Sequence, residues 1–298
     1  MTHVATLICN PARPALDDAA LAAARGALPG AAAPRWLDAG TAADIPFTPD
    51  GASDKAIAER VRAALAGRPI DVVVQPLASR RKTLFVADMD STMIGQECID
   101  ELADYVGLKQ HVAAITERAM RGEIAFEPAL RERVALLEGL PVSVVDEVIA
   151  HRITLSAGGR ALVATMRANG GHTCLVSGGF TLFTARIAAM IGFNEQRGNT
   201  LDVRDGRLTG RVAEPILGRA AKRATLTALR DRLGLAPEDT LAAGDGANDL
   251  AMIEAAGLGV AYHAKPTVAA AAHARIDHGD LTALLYAQGY ACGEFSTS

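Results

Sequence analysis

The sequence is short of cysteine, lysine and uninterrupted apolar stretches, and each shortage closes off a class of explanation. Its four cysteines (Cys9, Cys98, Cys174, Cys292) are scattered over 298 residues without a CxxC pair. Neither a disulfide framework nor a zinc ribbon is available, and reduced, mostly buried thiols are expected. Lys plus Arg total 30 against 34 for Asp plus Glu, a net charge of -4. No global basic field exists to hold nucleic acid or anionic lipid, so a small anionic substrate would need local cations. Only five of those cations are lysines, at 55, 82, 109, 222 and 265. The longest apolar stretch, 178–193, is broken by Arg186, and residues 1–16 lack a basic leader. A cytoplasmic protein with no membrane partner is expected.

Hydrophobic residues make up 50% of the chain and charged residues 21%, a balance that predicts an ordinary globular core. Residues 1–80 read as a unit of their own. An apolar run at 4–9 is followed by an Ala-rich helix at 16–28, extended pieces at 34–37 and 45–48, a helix at 54–66 and a β-branched strand at 70–74. That βαββαβ order predicts a small ferredoxin-like α+β domain, with a boundary at the charge run Ser79-Arg80-Arg81-Lys82. Residues 81–298 read as a second domain. Apolar runs at 83–87, 172–176, 240–243 and 257–262 alternate with helical patterns there, predicting an α/β, Rossmann-like parallel sheet. Ligands bind such sheets beyond the carboxyl ends of the strands.

The gap between the first two of those strands is too long for a simple crossover. Ile99, Leu102, Ala103 and Val106 follow helical spacing, as do Leu130, Val134 and Leu137, so a helical cap inserted at about 95–152 is expected. Leu201, Val203 and Leu208 flank Asp205-Gly206, a signal for a hairpin at 200–212.

Two acidic loops carry the chemistry. Asp88-Met89-Asp90-Ser91-Thr92 directly follows an apolar strand, and Gly244-Asp245-Gly246-Ala247-Asn248-Asp249 follows another. Alone, either could be a turn or a helix cap. Together, buried carboxylates at two strand ends call for a hard cation such as Mg²⁺, which takes oxygen ligands. An EF-hand fails on glycine placement, no Walker-A pattern occurs, and Leu175-Val176-Ser177-Gly178-Gly179 lacks the first glycine of a serine nucleophile elbow. Ser177 and the amides after it instead stand where a strand yields to a helix N-terminus, a natural anion site.

Taken in order, the Asp88–Thr92 loop, Ser177-Gly178-Gly179, Lys222 and the Gly244–Asp249 loop resemble the four motifs of the haloacid dehalogenase (HAD) superfamily. Within it, Gln96-Glu97-Cys98-Ile99-Asp100-Glu101, the run from Phe126 through Arg133 to Val134, and Ala264-Lys265-Pro266 are similar to the phosphoserine phosphatase family. The likeness spans about 84–285; residues 1–80 lie outside it, although an N-terminal ACT-type domain is common in bacterial members. The resemblance implies Mg²⁺-dependent hydrolysis of O-phospho-L-serine, the last step of serine synthesis. It makes Asp88 the nucleophile that becomes an aspartyl-phosphate, and Asp90 the general acid and base. The metal would be held by Asp88, the Asp90 backbone carbonyl and Asp245. Ser177, Gly178 N–H and Lys222 would hold phosphoryl oxygens, with Asn248 orienting substrate or phosphate, Asp249 the lysine, and Thr92 in support. Glu97 would meet the substrate ammonium and Arg133 its carboxylate. Arg131, two positions away, is expected at the surface; Phe126 and Met120 are read as core residues, with closure over the substrate as the alternative. An amino-acid effector on the N-terminal unit and a homodimer are further expectations. The competing readings are a superfamily phosphatase or phosphotransferase acting on another small phosphomonoester such as phosphohomoserine, and a signalling receiver.

Overall fold

The computed structural model describes residues 1–121 and 123–296, apart from the side chain of Met120. The first sheet contains β1 (His3–Ile8), β2 (Arg35–Asp38), β3 (Ala42–Phe47) and β4 (Asp71–Pro76), connected through α1 (Asp18–Gly26) and α2 (Asp54–Ala64). Its strands pair antiparallel in the order β2-β3-β1-β4, which is ferredoxin-like. Each helix starts where a side chain can satisfy a free amide: Asp17 accepts from Ala20 N–H at 2.7 Å and Ser53 from Ala56 N–H at 3.3 Å.

The second sheet comprises β5 (Leu84–Ala87), β6 (His172–Phe180) and β7 (Glu195–Asn199), then, past a hairpin of β8 (Leu201–Arg204) and β9 (Arg207–Val212), β10 (Thr240–Gly244), β11 (Leu258–Tyr262) and β12 (Ala274–Ile276). Its order is β12-β11-β10-β5-β6-β7 and all pairings are parallel. Strands β7 and β12 escape sequence reading because the first is the polar run Glu195-Gln196-Arg197-Gly198-Asn199 and the second has three residues. From β5 the chain proceeds to one side of the sheet and from β10 to the other. Neighbouring β5 and β10 therefore mark the topological switch point, where open α/β sheets form a crevice.

Between β5 and β6 the chain forms α3 (Cys98–Asp104), α4 (Lys109–Met120), α5 (Phe126–Ala135), α6 (Val144–His151) and α7 (Gly159–Ala168). The last of these returns to the sheet; the first four are the cap. Its entry and exit strands are tied side by side, with Gly95 N–H donating to Thr154 C=O and Ser156 N–H to Met93 C=O, both at 3.0 Å. The β8–β9 hairpin turns through Asp205 and Gly206 at φ 51° and 73°, the left-handed pair that a type I′ turn needs. It also braces the cap, since Gly139 N–H donates to Leu208 C=O at 2.8 Å and Val142 N–H to Gly206 C=O at 2.9 Å. The remaining helices are α8 (Thr181–Ile191), α9 (Arg219–Arg232), α10 (Leu250–Ala255), α11 (Pro266–Ala271) and α12 (Ala283–Ala287).

Alternation along the strands of the first sheet sends Leu7, Ile45 and Val72 toward Ile57 and Val61 of α2. It sends Ile8, Ala42 and Val73 the other way, into a core shared with Leu284, Leu285 and Tyr286 of α12. Both faces of the first sheet are thus covered. Polar contacts lock the junction: Arg80 grips Asp44 with two 2.9 Å hydrogen bonds, Tyr286 Oη donates to Asp38 at 2.8 Å, and Gln75 Nε2 donates to Ala287 C=O at 2.7 Å. The 79–82 charge run is therefore a clamp and not a solvated tether, with Arg80 and Lys82 both buried. Lys82 Nζ donates to the Ser79 and Glu238 carbonyls, and burial pulls its pKa down to about 8.

Removing one partner of a buried ion pair strands the other charge. Arg80→Met should therefore destabilise the protein by about 3 kcal/mol, read as a lower urea midpoint. Arg35→Met, whose guanidinium is largely exposed beside the same Asp44, should cost under about 1 kcal/mol.

Candidate active site

The site begins where β5 ends. Residues 89–93 form one wide turn closed by Ile94 N–H donating to Met89 C=O at 3.0 Å, with Ser91 at φ 55°. A non-glycine residue in the left-handed region is uncommon. Here it accompanies a turn that places both Asp88 and Asp90 on one cavity. Beside it, β10 runs into the second acidic loop. A Cβ on Gly244 would sit 2.5 Å from Asp249 Cγ, so only glycine lets that carboxylate fold back under the sheet edge.

The two loops converge on Lys222 from α9. Its side chain is 0% exposed and its Nζ lies 2.6 Å from both Asp88 Oδ1 and Asp249 Oδ1. Burial alone would lower the lysine pKa, but Asp249 and Asp88 together push it above the ordinary value. Asp88 Oδ1 also accepts from Met89 N–H at 2.8 Å. Among the described residues no protein donor reaches Asp88 Oδ2, so one oxygen is anchored and the other is open. Asp245 Oδ1 accepts from Thr92 Oγ1 at 3.0 Å. Asp90 is held through both oxygens, Oδ1 by Cys98 N–H at 2.8 Å and Oδ2 by Ser177 Oγ at 3.0 Å. Ser177 Oγ in turn accepts from Gly179 N–H at 2.8 Å.

Carboxylate oxygens of Asp88, Asp245 and Asp249 lie within 4.8 Å of one another, and among the described residues Lys222, bonded to Asp88 and Asp249, is the only cation in direct contact. The Asp88 carboxyl is raised well above the usual range by burial and then by Asp249, and Asp245 is raised to about 7 for the same two reasons. Such an unbalanced, oxygen-only set suits a divalent cation. Asp249 fits that role least, because Lys222 takes its Oδ1 and Gly246 N–H donates to its Oδ2 at 3.1 Å.

Above these groups lies a cavity of about 240 Å³ under the cap. Asp88, Asp90, Glu97, Arg133, Ser177, Gly178, Asp245 and Asn248 all line it, while Lys222, Asp249 and Thr92 are buried beneath. Every candidate read from the sequence is thus gathered at one place. Glu97 Oε1 accepts from Ser91 Oγ at 2.7 Å; burial first, then repulsion by Asp90, raises its carboxyl to about 8. Arg133 is buried, and Arg131 lies outside, exposed and paired with Glu127 and Glu214. Phe126 fills both of its expected places: it packs against the main core and also lines the cavity, close enough to Gly178 that a Cβ there would meet its ring at 2.9 Å. The Met120 side chain lies outside the described residues. Thr116 and Arg219 also line the cavity and have no signal in one sequence, since a helical Thr or Arg carries no mark of which way it faces.

A parallel sheet with a capped acidic crevice at its switch point defines a Rossmann-like hydrolase. The chain belongs to the haloacid dehalogenase-like hydrolase family, whose model matches residues 85–254. It is 46% identical over 224 residues to a phosphoserine phosphatase of Polaromonas sp., covering 74% of this chain and 95% of that one. A solved HAD-family hydrolase from Salmonella enterica serovar Typhi superposes with a TM-score of 0.85 at 30% identity, over 97% of this chain and 98% of that chain. Its coverage extends through the N-terminal sheet. A structure described as a phospho-aspartyl intermediate analogue of phosphoserine phosphatase superposes with a TM-score of 0.66 at 38% identity, over 69% of this chain and 98% of that chain.

Carboxyls whose pKa is raised by folding bind protons more tightly in the folded state. They favour folding below the unfolded value near 4 and lose that contribution as pH rises through the folded value. With chelator present, the melting temperature should fall between about pH 6 and about pH 8 as Asp245 ionises. Millimolar Mg²⁺ should restore more at the higher pH, and Asp245→Asn should remove most of that increment. Equal melting with and without Mg²⁺ at the higher pH would count against a metal centre.

Proposed function

We propose that this protein is a phosphoserine phosphatase, hydrolysing O-phospho-L-serine to L-serine and phosphate with Mg²⁺ as the final step of serine synthesis. The observation that carries this reading is the Asp88 carboxylate, pinned on one oxygen by Lys222 and open on the other, facing a cavity that also presents Glu97 and Arg133. The names borne by relatives at 38–46% identity support it.

In this reading Asp88 Oδ2 attacks phosphorus while the bond to the serine oxygen breaks and Asp90 delivers a proton to that oxygen. Asp90 then removes a proton from the water that attacks phosphorus, and the Asp88–phosphorus bond breaks to regenerate the carboxylate. The hydrogen bonds from Cys98 N–H and Ser177 hold Asp90 for both transfers. Ser177, the Gly178 amide and Lys222 surround the equatorial oxygens, where charge is spread in the transition state. Asp249 keeps Lys222 in place and Asn248 orients the phosphate. Asp88, Asp245 and the Asp90 carbonyl would hold Mg²⁺, which when bound supplies charge neutralisation between carboxylate and phosphate. Glu97 meets the substrate ammonium and Arg133 its carboxylate, so the cap reads a zwitterionic amino acid.

The same reading divides the chain at about residue 80, with an ACT-like N-terminal domain as the place for an amino-acid effector and with homodimers allowed. Three buried free cysteines accord with a reducing, cytoplasmic setting, and no helix among the described residues is long and apolar enough to cross a membrane.

Purified protein with Mg²⁺ should release phosphate from phosphoserine over many turnovers, which a phosphate-accepting receiver does not do. Asp88→Asn should reduce this to background while leaving the far-ultraviolet circular dichroism unchanged. A panel of phosphomonoesters including phosphohomoserine, with and without acceptor alcohols, tests the substrate. Failure on phosphoserine with turnover of another ester would replace the substrate and keep the chemistry.

A further inference from the structure

We infer that Thr116, supported by Asp100, is the positioning residue that aims Arg133 into the cavity and so sets selectivity for a substrate that carries a carboxylate. The inference rests on the reading of Arg133 as the carboxylate-binding group and extends it to two residues on other helices of the cap.

Arg133 lies on α5, Thr116 on α4 and Asp100 on α3, so three separate helices meet at this point. Arg133 Nη1 donates to Thr116 Oγ1 at 2.8 Å, and its Nε donates to the Ala129 carbonyl at 3.0 Å. Thr116 Oγ1, having accepted from arginine, lies 3.0 Å from both Asp100 Oδ1 and the Val112 carbonyl oxygen, the two acceptors open to its one proton. A guanidinium has five N–H donors in one plane. Two are spent on α4 and α5, which fixes the plane, and the others remain for a ligand on the cavity side. Arg133 and Thr116 both line that cavity.

The burial of the pair makes the arrangement costly to leave unmade. Thr116 is 4% exposed and Arg133 5%, so a guanidinium without its threonine partner loses a hydrogen bond to a charged group in a water-poor place. Arginine is long, and without a second fixed point its fork swings about the last bonds of the side chain. Asp100 adds a negative charge on the far side of Thr116. That charge favours the hydroxyl pointing its proton toward the aspartate and its lone pairs toward arginine. Glu97, which precedes α3, belongs to the same cavity wall. The ammonium-binding and carboxylate-binding ends of the pocket are therefore carried by adjoining parts of the cap.

The test compares O-phospho-L-serine with O-phosphoethanolamine, which has the same phosphate and ammonium but no carboxylate. Thr116→Val keeps the shape and removes the hydroxyl; Thr116→Ser keeps the hydroxyl. Thr116→Val should raise KM for phosphoserine about 10-fold with kcat within about two-fold, and leave KM for phosphoethanolamine unchanged. Thr116→Ser should recover most of the preference, and Asp100→Asn should lower it less than Thr116→Val. Added to Arg133→Gln, Thr116→Val should cause no further loss of preference. Should phosphoethanolamine turn over too slowly, its inhibition constant against phosphoserine supplies the same ratio. Equal effects on both substrates would reduce Thr116 to a packing residue and overturn the inference, as would no effect on either. If Arg133→Gln itself leaves the ratio unchanged, the carboxylate reading of Arg133 fails instead. Loss of selectivity in Arg133→Gln but not in Thr116→Val refutes the positioning role alone.

Discussion

Three carboxylates crowded together, two of them bonded to one buried ammonium, set the terms for the rest of this molecule. Bringing Asp88, Asp245 and Asp249 together is unfavourable in a water-poor place, as the raised Asp88 and Asp245 values register. The fold sustains it because β5 and β10 are hydrogen-bonded neighbours and their carboxyl ends must deliver both acidic loops to the same spot. Local donors then share the load. Met89 N–H, Thr92 Oγ1 and Gly246 N–H each meet one carboxylate oxygen, and Lys222 is held from two sides. What remains uncompensated is negative charge facing the cavity, which suits a metal-assisted reaction of a phosphate ester.

The N-terminal sheet is joined to that sheet as firmly as a layer of one core. Its inner face shares apolar contacts with α12, and Asp71 accepts backbone N–H groups from Asp277, His278 and Gly279 in the segment after β12. The Arg80–Asp44 pair beside this junction is a poor source of net stability but costly to break, because loss of either partner leaves the other charge buried alone. The first sheet therefore acts as a fixed flank of the catalytic sheet.

The cap rests on different physics. It enters and leaves through one short paired segment, and the β8–β9 hairpin braces it from the core, so its orientation over the strand ends is defined at two places. Glu97 and Arg133 line the cavity from this cap, and in the proposed reading they set selectivity. Phe126 and Arg219 complete the wall between cap and core.

Much of this architecture is legible in the residues themselves. The parallel strands that carry the acidic loops are short apolar runs ending in Asp or Gly, and the hairpin announces itself in Asp205-Gly206. The inward Arg133 and the outward Arg131 are separated by helical spacing. These features depend on neighbours within a few positions, where covalent geometry leaves little choice. The Thr116–Arg133 bond joins α4 to α5, Phe126 closes on Gly178 from a distant part of the chain, and Arg80 and Lys82 of the charge run are buried against Asp44, Tyr286 and Glu238. In such cases one residue's role is settled by another element's position, and no local rule contains it. By itself the sequence determined which chemical groups were present and which strand ends they would occupy. Only the tertiary structure decided which of them face the cavity, which are paired before a ligand arrives, and which charges are buried, because those outcomes depend on where distant segments come to rest.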